Sequence, residues 1–221
     1  MKRGGWWVAL TLGLCLLMAT VALSAAKRYE APTEAGVLPP DAVATVSTPA
    51  HPHGQGAARA PSRPAPSAVS VSQLAVPHRL QIPDLGVQAS VVAVRASGDG
   101  ALAVPGDPGE VGWWIGGAAP GDPQGTVILD GHVDTARSGA GALFRLADLA
   151  PGAQVVVTTS AGDTRYKVIA RRVYVKAALP RQIFNPGGPP RLALVTCGGP
   201  FDTQIRHYAD NVVVYATPLS R

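Results

Sequence analysis

The hydrophobic and polar positions divide the chain into three segments of different texture. Residues 4–26 form one uncharged, mostly apolar run that is flanked on each side by a Lys-Arg pair. From residue 27 to residue 76 the sequence is built from Ala, Pro, Ser, Thr, Val and Gly with few aromatic residues. After Pro77 come short apolar runs rich in Val, Ile, Leu and Tyr, separated by Gly, Pro and Asp. The pattern therefore predicts segments at residues 1–26, 27–76 and 77–221.

The first segment is long enough to cross a bilayer. About 20 apolar residues span the hydrocarbon core, whereas the apolar region of a cleaved signal peptide has about 7 to 15. The run from Gly4 to Ala26 therefore predicts an uncleaved signal anchor, a single-pass membrane protein and an extracytoplasmic remainder. The small-residue sequence Ser24-Ala25-Ala26 could instead be a cleavage site, and cleavage near Ala26 would give a secreted protein. Cys15 lies inside the run, and we interpret it as a packing residue.

The second segment, residues 27–76, predicts a disordered linker. Its side chains cannot bury enough apolar surface to offset the entropy lost when a chain is ordered. His51 and His53 are possible metal ligands, but two histidines on a flexible segment do not complete a coordination shell. The sequence therefore predicts no metal site and no cofactor.

The third segment, residues 77–221, predicts an all-β fold. Short apolar runs bounded by turn residues at regular spacing are typical of sandwiches and barrels. Between two of the runs, Ala161-Gly162-Asp163 predicts a hairpin turn, because Gly and Asp tolerate the positive φ that such turns need. The predicted strands are Arg79 to Ile82, Val87 to Arg95, Ala101 to Val104, Thr126 to Asp130, Gln154 to Thr159, Thr164 to Val175, Arg191 to Thr196 and Asn211 to Thr217.

Helical signal is sparse in this segment. Ala142 to Leu149 predicts one short helix, with Leu143 and Leu146 on its apolar face, and Pro151 ends it. We therefore predict a compact eight-stranded barrel with short helices in its loops.

The net charge does not indicate nucleic-acid binding. The chain has 19 Lys and Arg against 14 Asp and Glu, a formal charge of +5. These basic residues are scattered, and no aromatic residues alternate with them as stacking platforms for bases. A mildly basic surface that faces an anionic cell envelope explains the charge better.

Cys197 is the first candidate for chemistry. It follows an apolar run that ends at Thr196, and Gly198 and Gly199 come directly after it. A thiol at a strand end is held rigidly, while neighbouring glycines let a substrate backbone approach closely. We therefore predict Cys197 as a nucleophile, with Thr196 and Gly198 as candidate substrate-binding residues. The alternative is that Cys197 is a small, buried and inert hydrophobic residue.

A nucleophilic thiol needs a proton-transfer partner and a group that stabilises negative charge. His132 follows another apolar run that closes on Gly, and Arg206 lies in the loop before the last strand. Three strand ends of this kind can converge at one rim of a barrel. His78 and His207 do not lie in a comparable setting. The alternatives are a surface histidine and a solvated arginine that pairs with a nearby aspartate.

Three segments carry a resemblance to a known family. The sequences GHVDT at 131–135, VTCGGPFD at 195–202 and RHYADNVVV at 206–214 resemble sortases, in particular the class F sortases of actinobacteria. The resemblance extends from Pro77 to the C-terminus and implies an eight-stranded barrel behind an N-terminal signal anchor. Order and spacing of the family's catalytic residues match this sequence.

The resemblance implies a cysteine transpeptidase with His132, Cys197 and Arg206 as catalytic residues. Such an enzyme cleaves an LPxTG-like sorting signal after Thr and transfers the acyl chain to an amine of the cell envelope, usually a peptidoglycan precursor. The expected partners are therefore surface proteins with a sorting signal and this acceptor. Asp134, two residues after His132, is interpreted as structural, with Thr135 in the turn that follows.

Two other functions stay open. A papain-like or L,D-transpeptidase-like enzyme also pairs Cys with His, but papain-like enzymes have Cys before His. L,D-transpeptidases place His and Gly directly before the Cys, where this chain has Val195 and Thr196. The alternative from another class is an envelope-binding barrel in which Cys197 is inert.

Overall fold

A computed structural model describes residues 32–39, 75–96 and 102–220. The predicted signal anchor, Cys15, His51 and His53 lie outside the described residues. Within the described ranges, no helix is both long and apolar enough to cross a membrane.

Strands make up about half of the described residues. Eight of them are long, three have only two residues, and four single-turn 3₁₀ helices lie in the connections at Pro83–Leu85, Leu146–Asp148, Lys176–Ala178 and Arg181–Phe184. The strands are β1 (Ala35–Gly36), β2 (Pro77–Ile82), β3 (Val87–Val94), β4 (Val111–Trp114), β5 (Thr126–Gly131), β6 (Asp134–Thr135), β7 (Gly139–Ala140), β8 (Gln154–Thr159), β9 (Gly162–Val175), β10 (Arg191–Asp202) and β11 (His207–Pro218).

The eight long strands close into a barrel. Their order is β9-β11-β10-β5-β4-β3-β2-β8, and β8 pairs with β9 again to complete the circle. Two neighbouring pairs are parallel, β3 with β4 and β5 with β10, while the other pairs are antiparallel. The predicted all-β barrel of eight strands is therefore confirmed.

The barrel is filled by one apolar cluster, and a second cluster covers part of its outside. All eight barrel strands contribute to the larger cluster, for example through Leu80, Val155 and Leu194, so it occupies the interior. The smaller cluster includes Ile128 and Val195 and packs under the 3₁₀ segments that follow β9. Because β5 and β10 are covered on both faces, their sequences are continuous apolar runs without alternation.

Two predicted elements are wrong. One predicted strand was Ala101 to Val104. Its described residues form a single isolated β-bridge, between Leu102 and Ala96. The eighth barrel strand is instead Val111–Trp114, which had no alternating pattern because its first three residues are buried and Gly112 interrupts it. The predicted helix Ala142 to Leu149 is a series of turns with one 3₁₀ turn, although its leucines do enter the interior cluster.

Residues 32–39 depart from the predicted disordered linker. Ala35–Gly36 pairs with Arg171 and Ala170 of β9, outside the barrel circle. The Arg171 guanidinium donates to the Thr33 carbonyl at 2.9 Å, and that of Arg172 donates to the Ala35 carbonyl at 2.8 Å. We call residues 32–39 the strap, because backbone pairing and two arginines hold it on the barrel.

Gly36 makes the strap sensitive to a single methyl group. Its φ is +75°, and a Cβ at this position would collide with the Ile169 carbonyl of β9. Gly86 is a matched control, because its φ is +66° and a Cβ there meets nothing. We expect Gly36→Ala to detach the strap and lower the unfolding free energy by about 2 to 4 kcal/mol, through lost charge-assisted hydrogen bonds. Gly86→Ala should cost about 1 to 2 kcal/mol from its backbone conformation alone.

Urea unfolding of both variants measures this difference. Gly36→Ala should match a chain that begins at residue 75, because both lack a docked strap. Equal unfolding free energies for Gly36→Ala and Gly86→Ala would show that the strap contributes nothing measurable.

Candidate active site

Cys197 lies inside β10, which continues past the predicted end at Thr196 to Asp202. It pairs with Asn211 of β11, directly before a bulge in the ladder. Because side chains alternate along a strand, Cys197 shares the outer face with Val195 of the smaller cluster. Cys197 is a free, half-buried thiol. The barrel wall therefore holds the sulfur from below and leaves it accessible from outside.

Thr196 and Gly198, predicted to bind substrate, have close contacts within the barrel. The buried Thr196 hydroxyl donates to the Gly131 carbonyl at 2.8 Å, which ties β10 to the end of β5. A Cβ at Gly198 would lie 2.7 Å from a methyl group of Val212, so β11 packs where a side chain would stand. These contacts position Cys197 beside the residues that follow β5.

His132 directly follows β5 and is held in a fixed orientation. Its Nε2 lies 2.9 Å from the Pro105 carbonyl, which can only accept, so Nε2 is the donor. The His132 carbonyl accepts from the Leu143 amide at 3.2 Å. These two contacts fix the ring and the backbone of His132 at the end of β5.

Arg206 lies in the loop between β10 and β11 and has a strained backbone. Its φ is +54°, the one positive φ among the described non-glycine residues. The Asp202 carboxylate accepts from the amides of Gln204 and Ile205 and shapes this loop. The ion pairs among the described residues are Arg145 with Asp148 and Arg172 with Glu34. The solvated-arginine alternative required Arg206 to pair with Asp202 or Asp210, and neither ion pair is present among the described residues.

Two cavities meet at Cys197. One, which we call the polar cavity after the ionisable side chains in its lining, has a volume of about 690 Å³, and this lining includes His132, Cys197 and Arg206. The other, the apolar cavity, has a volume of about 420 Å³. Both share Val104, Lys176 and Cys197. The structure thus brings the three predicted catalytic residues to one cleft. The lining of the apolar cavity includes Leu102, Leu179, Phe184, Val195, Asn211 and Asp130.

Lys176 is a site residue that sequence reasoning missed. It begins the 3₁₀ turn after β9, and its Nζ donates to the Cys197 sulfur at 3.5 Å. An ammonium group at this distance stabilises negative charge on sulfur. No motif marks this lysine in the sequence, because the position of its side chain depends on how the chain after β9 folds over the two cavities.

Asp134 and Thr135 have structural contacts. The Asp134 carboxylate accepts from the Tyr208 hydroxyl at 2.7 Å, so its partner is on β11 and not in the local turn. Thr135 accepts from the Ser138 amide at 3.0 Å, as turn chemistry predicts. The Tyr208 ring packs edge-on against Phe201, with centroids 5.0 Å apart. These contacts connect the His132 segment to the strands of the Arg206 loop.

Asp130 is a buried carboxylate that the sequence did not single out. The residue is 4% exposed, and neither carboxylate oxygen has a hydrogen-bond partner among the described residues. Burial raises the pKa of Asp130 to about 7, because the charged form loses its hydration. Gly112 makes room for it, since a Cβ there would lie 2.5 Å from the carboxylate.

The raised pKa of Asp130 makes stability fall as the pH rises. The folded chain holds this proton up to about pH 7, whereas the unfolded chain releases it near 3.8. Stability is therefore lost through this window, by about 2 to 3 kcal/mol between pH 5 and pH 8. Asp130→Asn has no proton to release in this range. We therefore expect the difference in unfolding free energy, variant minus parent, to rise by about 2 to 3 kcal/mol from pH 5 to pH 8. Urea unfolding at both pH values measures it, and a constant difference would contradict the prediction.

Comparisons with known proteins point to one family. The family model described as Sortase domain matches residues 80–219. No curated protein matches the chain.

Several solved structures have a similar fold. Sortase C2 of Group B Streptococcus Pilus Island 1 is 20% identical, with a TM-score of 0.50 over 64% of this chain and 73% of its own. Sortase C1 of Streptococcus agalactiae, in complex with MTSET, is 17% identical, with a TM-score of 0.51 over 65% and 68%. Sortase C-1 of Actinomyces oris is 20% identical, with a TM-score of 0.50 over 65% and 73%. These chains share the barrel fold described above.

Proposed function

Because this chain belongs to the sortase family, we propose that it is a cysteine transpeptidase for LPxTG-like sorting signals. The observation that carries the proposal is the cleft that Cys197, His132 and Arg206 line together. Nucleophile, proton carrier and cationic donor are the three groups that acyl transfer through a thioester needs. The class F subtype stays a prediction from the sequence motifs.

In the proposed reaction, the Cys197 thiolate attacks the carbonyl carbon of the signal's Thr. The carbonyl π electrons move to the oxygen, and Arg206 donates hydrogen bonds to the resulting oxyanion or to the bound backbone. The C–N bond then breaks as His132 protonates the leaving amine, which gives a thioester. An incoming amine attacks the thioester, loses a proton to His132 and expels the thiolate. Lys176 would stabilise the thiolate in both half-reactions.

The two cavities suggest where each half of the substrate binds. His132 lines the polar cavity and not the apolar one, so the leaving and incoming amines belong in the polar cavity. The acyl segment must extend from the Cys197 sulfur in the other direction. We therefore place the residues before the scissile bond in the apolar cavity.

The proposed location is the cell membrane, with the barrel outside the cytoplasm and residues 4–26 as a single anchor. This location would place the cleft beside surface proteins with sorting signals and amine acceptors of the envelope. Secretion after cleavage near Ala26 is the alternative. Membrane fractionation with an intact-mass measurement distinguishes them, because mostly soluble chain that begins at Lys27 would contradict the anchor.

The function is tested by mass spectrometry of peptide reactions. The full chain in detergent is incubated with an LPxTG peptide and a triglycine or diaminopimelate-containing acceptor. We expect products in which the Thr carbonyl is joined to the acceptor amine, and a thioester adduct on Cys197. Absence of both cleavage and adduct with folded protein would favour the envelope-binding alternative.

A further inference from the structure

Asp130 lines the apolar cavity, where we place the acyl segment, but it has no part in the reaction above. It pairs with Val195 of β10, and Cys197 is two residues further along that strand. Two residues along a strand and one strand across place the two backbone positions about 8 Å apart. This distance equals two to three residues of an extended peptide. Asp130 therefore lies beside a peptide residue shortly before the scissile bond.

The surroundings of Asp130 suit a side chain with an apolar stem. Leu102, Val104 and Phe184 line the same cavity, and they offer contact surface without polar groups. Asp130 contributes a carboxylate whose two oxygens have no partner among the described residues. A buried polar group without a partner is costly, and each such group in a native protein needs an explanation. A ligand that donates a hydrogen bond to the Asp130 carboxylate would explain why this group is kept without a partner in the protein.

We propose that Asp130 is a specificity-determining residue, which selects a sorting-signal side chain with an apolar stem and a hydrogen-bond-donating end, most directly Lys. The selected residue lies two or three positions before the scissile bond. The inference rests on the proposed function, because it places the acyl segment in the apolar cavity. The stem of the lysine contacts Val104 and Phe184, and its ammonium donates to the Asp130 carboxylate.

Within the described part of the chain, few other charged or titratable groups face this position, and Cys197, which lines the same cavity, is replaced in the test below. Lys176, on the turn after β9, lines the same cavity, and its Nζ is directed to the Cys197 sulfur. Asp130 pairs with Gly112 on β4 and Val195 on β10, which carry no charge, and Asn211 on β11 is neutral. With a pKa of about 7, roughly a tenth of Asp130 is ionised at pH 6 and nearly all at pH 8.5. Selection for a cation should therefore increase over this range.

The test measures binding to the full-length Cys197→Ala variant in detergent, so that no peptide is cleaved. LPxTG peptides carry either Lys or norleucine at each of the three positions before Thr in turn, because norleucine keeps the straight stem without the amine. Calorimetric titration at pH 6 and pH 8.5 gives the ratio of the two affinities. Effects of pH on the rest of the site cancel in this ratio.

At one position we expect the Lys to norleucine affinity ratio to rise about tenfold from pH 6 to pH 8.5, as the ionised fraction does. With Asp130→Asn added, the ratio should stay constant. A ratio that does not change at any position, a change that persists in Asp130→Asn, or no binding of any peptide would overturn the proposal. The pH dependence with Asp130 present tests it even if Asp130→Asn does not fold.

These outcomes are separate from those of the proposed function. Binding that prefers Lys, together with a parent enzyme that neither cleaves nor forms an adduct, would overturn the transpeptidase proposal and leave the selection by Asp130 standing. Cleavage with an unchanged ratio would do the reverse.

Discussion

Cys197→Ala should lower kcat/KM for a sorting-signal peptide at least about 10⁴-fold, because no other group in the cleft can form the thioester. Cys197 is half-buried on the outer face of β10, so removing its sulfur leaves no cavity inside the barrel. We therefore expect the unfolding free energy to change by no more than about 1 kcal/mol. Peptide turnover and a melting curve on the same preparation measure both effects.

Cys197→Ser is the matched control. Its hydroxyl keeps the size and polarity of the site but is a much weaker nucleophile than a thiolate at neutral pH. It should therefore be folded and as inactive as Cys197→Ala. If either folded variant still cleaved the peptide at near-parental rate, Cys197 would not be the nucleophile.

Arg206→Lys should lower kcat/KM by about 10² to 10³-fold, about 3 to 4 kcal/mol at the barrier. A planar guanidinium presents two aligned donors to neighbouring oxygens, whereas an ammonium is a point charge on a flexible stem. The backbone at Arg206, with its φ of +54°, places either side chain at the same point of the polar cavity. The lysine variant therefore tests the donor geometry with the loop conformation kept.

Arg206→Gly separates catalysis from stability. Glycine removes the cost of a positive φ, which is about 1 to 2 kcal/mol for other residues. We expect this variant to be at least as stable as the parent and to lose at least as much kcat/KM as Arg206→Lys. Such a combination is typical of strain kept at a functional site. A lysine variant with near-parental kcat/KM, or a destabilised glycine variant, would favour a structural role for Arg206.

The sequence by itself determined the all-β class, the barrel and seven of its eight strands. These strands are apolar runs closed by Gly, Pro or Asp, and this signal is local, because each strand must be apolar wherever it is buried. The segments around His132, Cys197 and Arg206 also indicated their family without a structure. Their catalytic roles stay predictions, which the shared cleft supports.

Tertiary structure decided what depends on partners distant in the chain. Val111–Trp114 is a strand because β3 and β5 pair with it, and residues 32–39 are ordered because β9 and its two arginines bind them. Lys176 reaches the Cys197 sulfur through the path of a loop. Asp130 is buried because β4 has a glycine beside it and the neighbouring segments cover it. Propensity and periodicity describe a residue and its near neighbours, so contacts of this kind are not visible in them.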